Sequence, residues 1–117
     1  MSENYENQFY KDNEKFYVSV DCIIFGFQDG ELKLLLTKRN FNPCKGEWSL
    51  MGGFLQKDES IDHAAARVLL NLTGLEDVFL EQISVFGDIN RDPGERVLSV
   101  AHYALINVED YDRELVQ

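Results

Sequence analysis

The apolar positions of the chain follow two periods. Residues 16–27 (FYVSVDCIIFGF) and 98–106 alternate in burial preference with a period of two, which predicts strands with one buried face. Residues 60–73 repeat apolar side chains every three to four positions, which predicts an amphipathic helix. The patterns indicate an α+β domain with a sheet packed against a helix.

Turn signals divide the remaining chain into further elements. Asp29-Gly30 is a strong hairpin dipeptide, so residues 16–27 and 32–39 are predicted to form a β-hairpin. Residues 78–86 have strand-like composition, and 98–106 form the last predicted strand. The Pro, Gly and Asn content of 40–48 and 87–96 predicts loops.

The predicted helix has a start signal and a stop signal. Ser60 is a good N-cap residue, and Gly74 suits the left-handed position that ends a helix. Between them runs an unusually broad apolar face, formed by Ile61, Ala64, Ala65, Val68, Leu69 and Leu72. We expect this face to be buried against the sheet.

Composition limits the class of protein. The 117 residues suffice for one domain, which we place at 16–117 after a flexible polar arm at 1–15. A net charge of -10 disfavours direct binding to nucleic acid. No apolar run approaches the length of a membrane span, and no signal peptide begins the chain, so we expect a soluble, cytoplasmic protein that does not bind membranes. Cys22 and Cys44 are predicted to be reduced thiols, with Cys22 buried in a strand.

The stretch 53–75, GFLQKDESIDHAAARVLLNLTGL, has a specific spacing of glycine, acid and arginine. It resembles the Nudix box, in which five residues separate Gly from Glu and seven residues separate that Glu from Arg. Gly53, Glu59, Arg67 and Gly74 fall on the marks of that pattern. The resemblance implies that Arg67 pairs with Glu59, and that Gly53, Arg67 and Gly74 keep the loop and helix in shape.

The three other carboxylates of the box are replaced, by Val68, Asn71 and Leu72. These positions lie three and four residues apart and therefore share one helix face. In Nudix enzymes that face holds Mg²⁺ or Mn²⁺, which need oxygen ligands. Two of the replacements carry no side-chain oxygen, so we expect no catalytic residue, with Glu59 a relic, and no metal or other cofactor. Mg²⁺ enters only if the chain is a hydrolase.

A narrower resemblance rests on KRNFNPCKGEWSLMGGFLQKDES and DINRDPGERVLSVAHYALI together with the altered box. Residues 16–107 look like the Nudix-related transcriptional regulators of the NrtR and arabinose-responsive AraR type. The resemblance implies a Nudix fold, a mixed β-sheet in an α/β/α sandwich, here shortened at its C-terminus. It also implies a small-molecule effector, a sugar or an ADP-ribose-like metabolite, and a homodimer. DNA binding would need a winged-helix domain that this chain lacks.

Effector recognition without a metal requires arginine forks, hydroxyl-binding carboxylates and flat apolar walls. The loops bordering the Nudix groove supply candidates for each, namely Arg39, Phe41, Glu47, Trp48, Gln56, Glu59, Arg91 and Arg96. Core packing is nevertheless the favoured interpretation of Trp48. The alternative function is a divergent, metal-dependent Nudix hydrolase of nucleoside diphosphate derivatives, with carboxylates drawn from Asp88, Asp92 or Glu95.

Overall fold

The computed structural model describes residues 8–38, 45–90 and 92–111. Its elements are α1 (Gln8–Lys11), β1 (Tyr17–Gln28), β2 (Glu31–Leu35), β3 (Thr37–Lys38), β4 (Trp48–Ser49), β5 (Met51–Phe54), α2 (Ile61–Thr73), β6 (Glu81–Phe86), β7 (Val97–Asn107) and a 3₁₀ turn at Val108–Tyr111. Five strands form one mixed sheet and β3–β4 form a second, two-stranded sheet. The one-turn helix α1 lies inside the arm for which no regular element was predicted.

Strand β1 is the centre of the sheet. Along one edge it pairs in parallel with the full length of β7, from Tyr17↔Val97 to Phe27↔Asn107. Along the other edge it pairs with two antiparallel strands, β5 near its start and β2 near its end. Strand β6 completes the sheet by pairing with the far edge of β7. Strand β1 pairs with three other strands over its twelve residues, which explains why it is the longest apolar alternation in the sequence.

The predicted hairpin is confirmed, but its second strand is shorter than expected. Asp29 and Gly30 both have positive φ, 53° and 77°, as a two-residue hairpin turn requires. The single strand predicted for 32–39 is wrong, because β2 ends at Leu35 and Thr37–Lys38 instead pairs with Trp48–Ser49. Residues Ser19 to Cys22 of β1, which come just before Ile24, pair with β5 along this same edge. The chain therefore leaves β1 after Leu35.

One face of the sheet and helix α2 enclose the core. Val20, Cys22 and Ile24 point to this face from β1, and Leu69 packs against them from the helix. The Cys22 thiol donates to the carbonyl of Ala65 at 3.4 Å. Burial raises the pKa of this thiol to about 12, so it stays protonated at neutral pH. The prediction that Cys22 is a buried strand residue is confirmed, while Cys44 lies outside the described residues.

Helix α2 begins and ends where the sequence predicts. The Ser60 hydroxyl accepts a hydrogen bond from the backbone N–H of His63 at 3.1 Å. Gly74 has φ 80°, and its N–H donates to the carbonyl of Leu70 at 2.8 Å. The buried Thr73 hydroxyl donates to the carbonyl of Leu69 and accepts from the N–H of Leu75, which carries the core beyond the helix.

The apolar face of α2 is narrower than predicted. Val68 is 3% exposed, but Leu72 is 44% exposed. The buried stripe instead continues from Leu69 through Thr73 to Leu75. Inclusion of Leu72 in the buried face was therefore wrong, since apolarity does not distinguish the two borders of a helix stripe from its centre.

The third and last strands differ from prediction in one respect each. Residues 78–80 are not part of β6, because Val78 and Leu80 turn inward and pack against the core. Strand β7 covers the predicted 98–106 with one more residue at each end. Its outward residues Ser99 and Ala101 are also buried, although simple alternation assigns them to a half-exposed face.

The second face of the sheet carries no helix in the described part of the chain. Phe27, Leu32, Leu34 and Leu105 are exposed on this side, which we call the open face. The described residues thus form two layers, sheet and helix, of the predicted three-layer sandwich. Within the same ranges no helix is long and apolar enough to cross a bilayer.

The two leucines give a test of the observed packing. Leu69→Ala should lower the free energy of unfolding by about 2–5 kcal/mol, because it leaves a cavity in a closed core. Leu72→Ala should cost less than about 1 kcal/mol, because much of its side chain already contacts water. Urea unfolding followed by circular dichroism measures both, and equal losses would show that Leu72 is buried as the sequence pattern predicts.

Candidate functional site

Two loops emerge at one end of the sheet. Strand β5 ends at Phe54, which pairs with Ser19, and β6 ends at Phe86, which pairs with Ser99. Ser19 and Ser99 are themselves paired near the starts of β1 and β7. The segments 55–60 and 87–96 therefore leave from the same end of the sheet. They contain most of the predicted site residues that the structure describes. We call this end of the sheet the loop end.

An ion pair joins the first of these loops to helix α2. Arg67 binds Glu59 through two hydrogen bonds, Nη2 to Oε1 at 2.6 Å and Nε to Oε2 at 2.9 Å. The same Nη2 donates to the carbonyl of Phe54 at 2.9 Å, and the N–H of Gln56 donates to Glu59 Oε1 at 3.0 Å. Strand end, loop and helix are thus tied together, and the predicted pairing of Arg67 with Glu59 is present.

The Glu59 carboxylate is strongly stabilised in its charged form. The hydrogen bonds from Arg67 are the largest cause, and they lower its pKa from 4.5 to about 2. The same contact raises the pKa of the Arg67 guanidinium. Both oxygens of Glu59 are occupied by donors from its own chain, so this side chain is committed to holding the loop.

Gly53 allows β5 and α2 to approach closely. A Cβ atom at this position would lie 2.9 Å from Cγ2 of Val68, closer than real Cβ contacts. Val68 therefore fills the space directly behind the glycine strand. Any larger residue at position 53 would push the helix away from the sheet.

The residues present do not fit a divalent cation. Val68 is buried beneath Gly53 and offers no oxygen, and the exposed Leu72 offers none either. Asn71 contributes one neutral carbonyl, and both oxygens of Glu59 already accept hydrogen bonds, from Arg67 and from Gln56. Across 8–38, 45–90 and 92–111, no three His, Cys, Asp or Glu side chains are grouped as a metal site.

Arg96 anchors the second loop. Its Nη1 donates to the carbonyl of Gly87 at 2.6 Å, which closes the segment between β6 and β7. The guanidinium lies 5.6 Å from the centroid of the Phe16 ring, and the N–H of Tyr17 donates to the carbonyl of Arg96. Within the loop, the N–H of Gly94 donates to Asp92 Oδ1 at 2.8 Å. An open depression is lined by Gly87, Asp88, Ile89 and Asn90.

Trp48 is not a core residue. Its side chain is 63% exposed on β4, so the favoured prediction that it packs in the core was wrong. The ammonium of Lys38 on the paired strand lies 5.9 Å from the ring centroid. Two strands of two residues each, paired with one another, offer little surface against which a large ring can be buried. The indole is therefore available as a ligand-facing surface.

The predicted ligand-binding residues are distributed over two regions. Gln56, Glu59 and Arg96 lie at the loop end of the sheet, with Glu59 and Arg96 engaged in contacts that hold the loops. Glu47 and Trp48 are exposed at the small sheet. Arg39, Phe41 and Arg91 lie outside the described residues. The structure thus brings three of the eight predicted residues together at the loop end.

One polar pair was missed by sequence reasoning. Asp21 is half-buried on the open face of β1, and its Oδ2 accepts a hydrogen bond from the hydroxyl of Ser99 on β7. An acid inside an otherwise apolar strand is the signal that sequence offers for such a residue. The partner, 78 positions away, becomes visible only through the parallel register of β1 and β7.

A second polar residue that the prediction passed over is His102. It is fully buried on the helix side of β7, and its Nε2 lies 3.5 Å from Oδ1 of Asp62 in the first turn of α2. Nε2 makes no hydrogen bond within the described structure. The sequence placed His102 only within the predicted strand 98–106, and β7 includes it.

Comparisons with known proteins place this geometry in a known setting. The family profile described as "NUDIX domain" matches residues 15–116. Over 100 residues the chain is 37% identical to the ADPR responsive transcriptional repressor NtrR of Acinetobacter baylyi, which covers 84% of this chain and 40% of the relative. It is 31% identical over 86 residues to the ADP-ribose pyrophosphatase of Methanocaldococcus jannaschii, covering 74% of this chain and 51% of the relative.

Solved structures show the same likeness. The NUDIX domain of Shewanella oneidensis NrtR complexed with ADP ribose superposes with a TM-score of 0.79 at 30% identity, over 91% of this chain and 70% of that one. NrtR of the same organism complexed with a 27mer DNA superposes with a TM-score of 0.75 at 30% identity, over 84% and 46% of the two chains. The chain spans about half or less of the length of the curated relatives it matches.

The Glu59–Arg67 pair makes thermal stability depend on pH in a defined direction. A folded pKa near 2 against an ordinary value of 4.5 means that the stabilisation is fully present above about pH 4.5 and is lost as the pH falls toward 2. Glu59→Gln should therefore lower the melting temperature at pH 7, and the difference from wild type should shrink below pH 4.5. Differential scanning calorimetry across this range measures it. Asp58→Asn is the control, and an equal effect there would contradict a specific role for the pair.

Proposed function

The chain belongs to the NUDIX domain family, and we propose that it is the effector-sensing domain of a transcriptional regulator, binding ADP-ribose without cleaving it. The observation that carries this proposal is the separation of two features of the Nudix box. The loop is held intact by Glu59 and Arg67, while Val68 and Leu72 occupy the positions of metal-binding acids. A preserved loop without metal ligands suits binding rather than hydrolysis.

Similarity supports the effector class. The Acinetobacter relative is named as responsive to ADPR, and the Shewanella domain of the same fold was solved with ADP ribose. We infer the same ligand class for this chain in preference to a free sugar of the AraR type. ADP-ribose carries a diphosphate between two riboses, so it requires cations for the phosphates and planar or polar groups for its ends.

The residues predicted from the sequence remain the proposed contacts of ADP-ribose, for its phosphates and for one planar wall of its binding site. Arg96 at the loop end still has guanidinium N–H groups besides the Nη1–Gly87 bond, and Arg39 and Arg91 are further candidate cations. Trp48 and Phe41 are candidate walls, and Glu47 and Gln56 are candidate hydrogen-bonding groups. Glu59 acts in the proposal through the loop that it shapes, because its oxygens are already occupied.

Regulation would require more than this domain. The Shewanella protein was solved with DNA over a chain of which this one covers 46%. We propose that DNA contact in the regulator is made by a winged-helix domain and that the sensing domain forms part of a homodimer. Such a regulator acts where the chromosome is, which supports the predicted cytoplasmic location.

A hydrolase is the second candidate, because the Methanocaldococcus relative is named an ADP-ribose pyrophosphatase. The acids that could replace the missing metal ligands, Asp88, Asp92 and Glu95, belong to the 87–96 loop. This loop leaves from the same end of the sheet as the segment 55–60 of the Nudix box. Asp92 is partly engaged by the N–H of Gly94, whereas Asp88 and Glu95 are exposed. The two functions give opposite results in one assay.

We expect wild-type protein in EDTA to be stabilised by ADP-ribose, with about 2.7 kcal/mol gained at a ligand concentration 100 times Kd. Replacing EDTA with Mg²⁺ should leave the affinity unchanged and yield no AMP. Calorimetric titration and chromatography of the nucleotides provide the two measurements. AMP released over repeated turnovers would establish the hydrolase instead. Binding that requires Mg²⁺ would contradict the metal-free site, and absence of binding under every condition would remove ADP-ribose as the effector.

Trp48 supplies an internal probe, since it is the single tryptophan of the chain. If it forms a wall of the site, stacking of the ligand should change its fluorescence in a saturable way with the same Kd as calorimetry. Excitation at the red edge of the indole band avoids absorption by adenine. Trp48→Phe should retain binding and lose the signal, and emission unaltered at full occupancy would exclude Trp48 from the site.

A further inference from the structure

The open face of the sheet holds a second feature at the loop end, built around Asp21. We propose that Asp21, Phe54 and Phe86 form a nucleoside subsite, in which the planar base lies along the aromatic walls and an N–H or O–H of the nucleoside donates to Asp21. This inference rests on the proposed function and names where the adenosine half of the effector is bound. We call the feature the Asp21 slot.

The floor of the slot contains a carboxylate with unused hydrogen-bonding capacity. Ser99, itself 1% exposed, donates its hydroxyl to Oδ2 of Asp21 and so holds the carboxylate in one orientation. No described residue donates to Oδ1, and no described cation pairs with this acid. A half-buried acceptor that is oriented but incompletely satisfied favours a ligand bearing hydrogen-bond donors.

Gly52 leaves room for that free oxygen, which lies against the glycine where a side chain would otherwise be. It is the direct partner of Asp21 in the β1–β5 pairing. A Cβ atom added there would collide with Oδ1 of Asp21. The neighbouring positions Ser19 and Ala101 are small as well, so the floor around the carboxylate is low.

Aromatic side chains border this low floor on both sides. Phe54 on β5 pairs with Ser19, and its ring lies 5.5 Å from that of Tyr17. Phe86 on β6 pairs with Ser99 from the other side. Phe54 and Phe86 are about half exposed. Their strands are three strand spacings apart, about 14 Å, which leaves room between the two side chains for a base and its ribose.

The slot adjoins the Nudix loop directly. The carbonyl of Phe54 accepts from Arg67, the residue that holds Glu59. A ligand lying over Phe54 therefore reaches the loop end without leaving the protein surface. The negative charge of Asp21 repels phosphate and attracts donor groups, so the diphosphate must lie toward Arg96 and the loops, with the nucleoside over the slot.

The experiment compares matched variants in EDTA by calorimetric titration of ADP-ribose, ADP and ribose 5-phosphate. Asp21→Asn keeps an oxygen for Ser99 but places an amide donor toward the ligand, so affinity for ADP-ribose and ADP should fall about tenfold to a hundredfold. Glu81→Gln, an acid on the same face that accepts from Tyr103, is the control and should leave affinity unchanged. Phe86→Ala should weaken the same two ligands about tenfold, while Phe79→Ala, exposed just before β6, should not.

Ser99→Ala separates binding from folding. It removes the hydrogen bond to Asp21 but keeps the carboxylate, so the melting temperature should fall while affinity for ADP drops less than about threefold. If Asp21 is only structural, Ser99→Ala and Asp21→Asn should show parallel losses of stability and affinity, and the proposal is overturned.

The outcomes also separate this inference from the proposed function. Wild-type binding of ADP-ribose with no effect of Asp21→Asn or Phe86→Ala would overturn the slot and leave the sensor function standing. A loss confined to ribose 5-phosphate would mean that the slot takes the terminal sugar and not the nucleoside, which also overturns it. Failure of wild-type protein to bind ADP-ribose or ADP would overturn both.

Discussion

The bidentate contact between Arg67 and Glu59 is the interaction on which the arrangement of the site depends. It connects the helix to the loop, and the additional bond to the Phe54 carbonyl connects both to the end of β5. Isolated surface ion pairs contribute little to stability. This pair has an additional effect, because it fixes the relative positions of the helix, the loop and the end of β5. Its geometry requires no metal ion, so the loop can persist when the metal-binding acids are gone.

The residues that stand in place of those acids supply no charged metal ligand, and they are compatible with close packing. Val68 lies under Gly53 at a distance that leaves no room for a Cβ on the glycine, and a buried valine adds apolar contact without a charge to desolvate. A domain that binds a metabolite without consuming it has an advantage as a sensor, because the complex lasts as long as the ligand concentration does. Binding of this kind needs complementarity only to the ground state of the ligand.

The sheet has two faces with different roles. The helix face is closed by aliphatic and small side chains, among them Val20, Ile24 and Leu69. The open face carries Asp21 and Ser99 between aromatic residues at the loop end and apolar residues farther along β1 and β2. A strand that must serve a core on one side and a polar floor on the other needs strict alternation, and β1 shows it from Ser19 to Gly26.

The elements whose causes are local could be predicted from the residues alone. Periodicity, the Asp29-Gly30 turn, the Ser60 and Gly74 caps and the spacing of Glu59 and Arg67 each act within a few residues, and each was found where predicted. Which positions of these elements are covered depends instead on packing between elements that are far apart in the chain. That packing leaves Leu72 and Trp48 exposed. Strand β2 ends at Leu35 because the next part of the same edge of β1 pairs with β5. The parallel pairing of β1 with β7 brings Asp21 next to Ser99. The physical reason is that burial and long-range hydrogen bonding depend on which strand lies beside which, and a local pattern of residues does not contain that information.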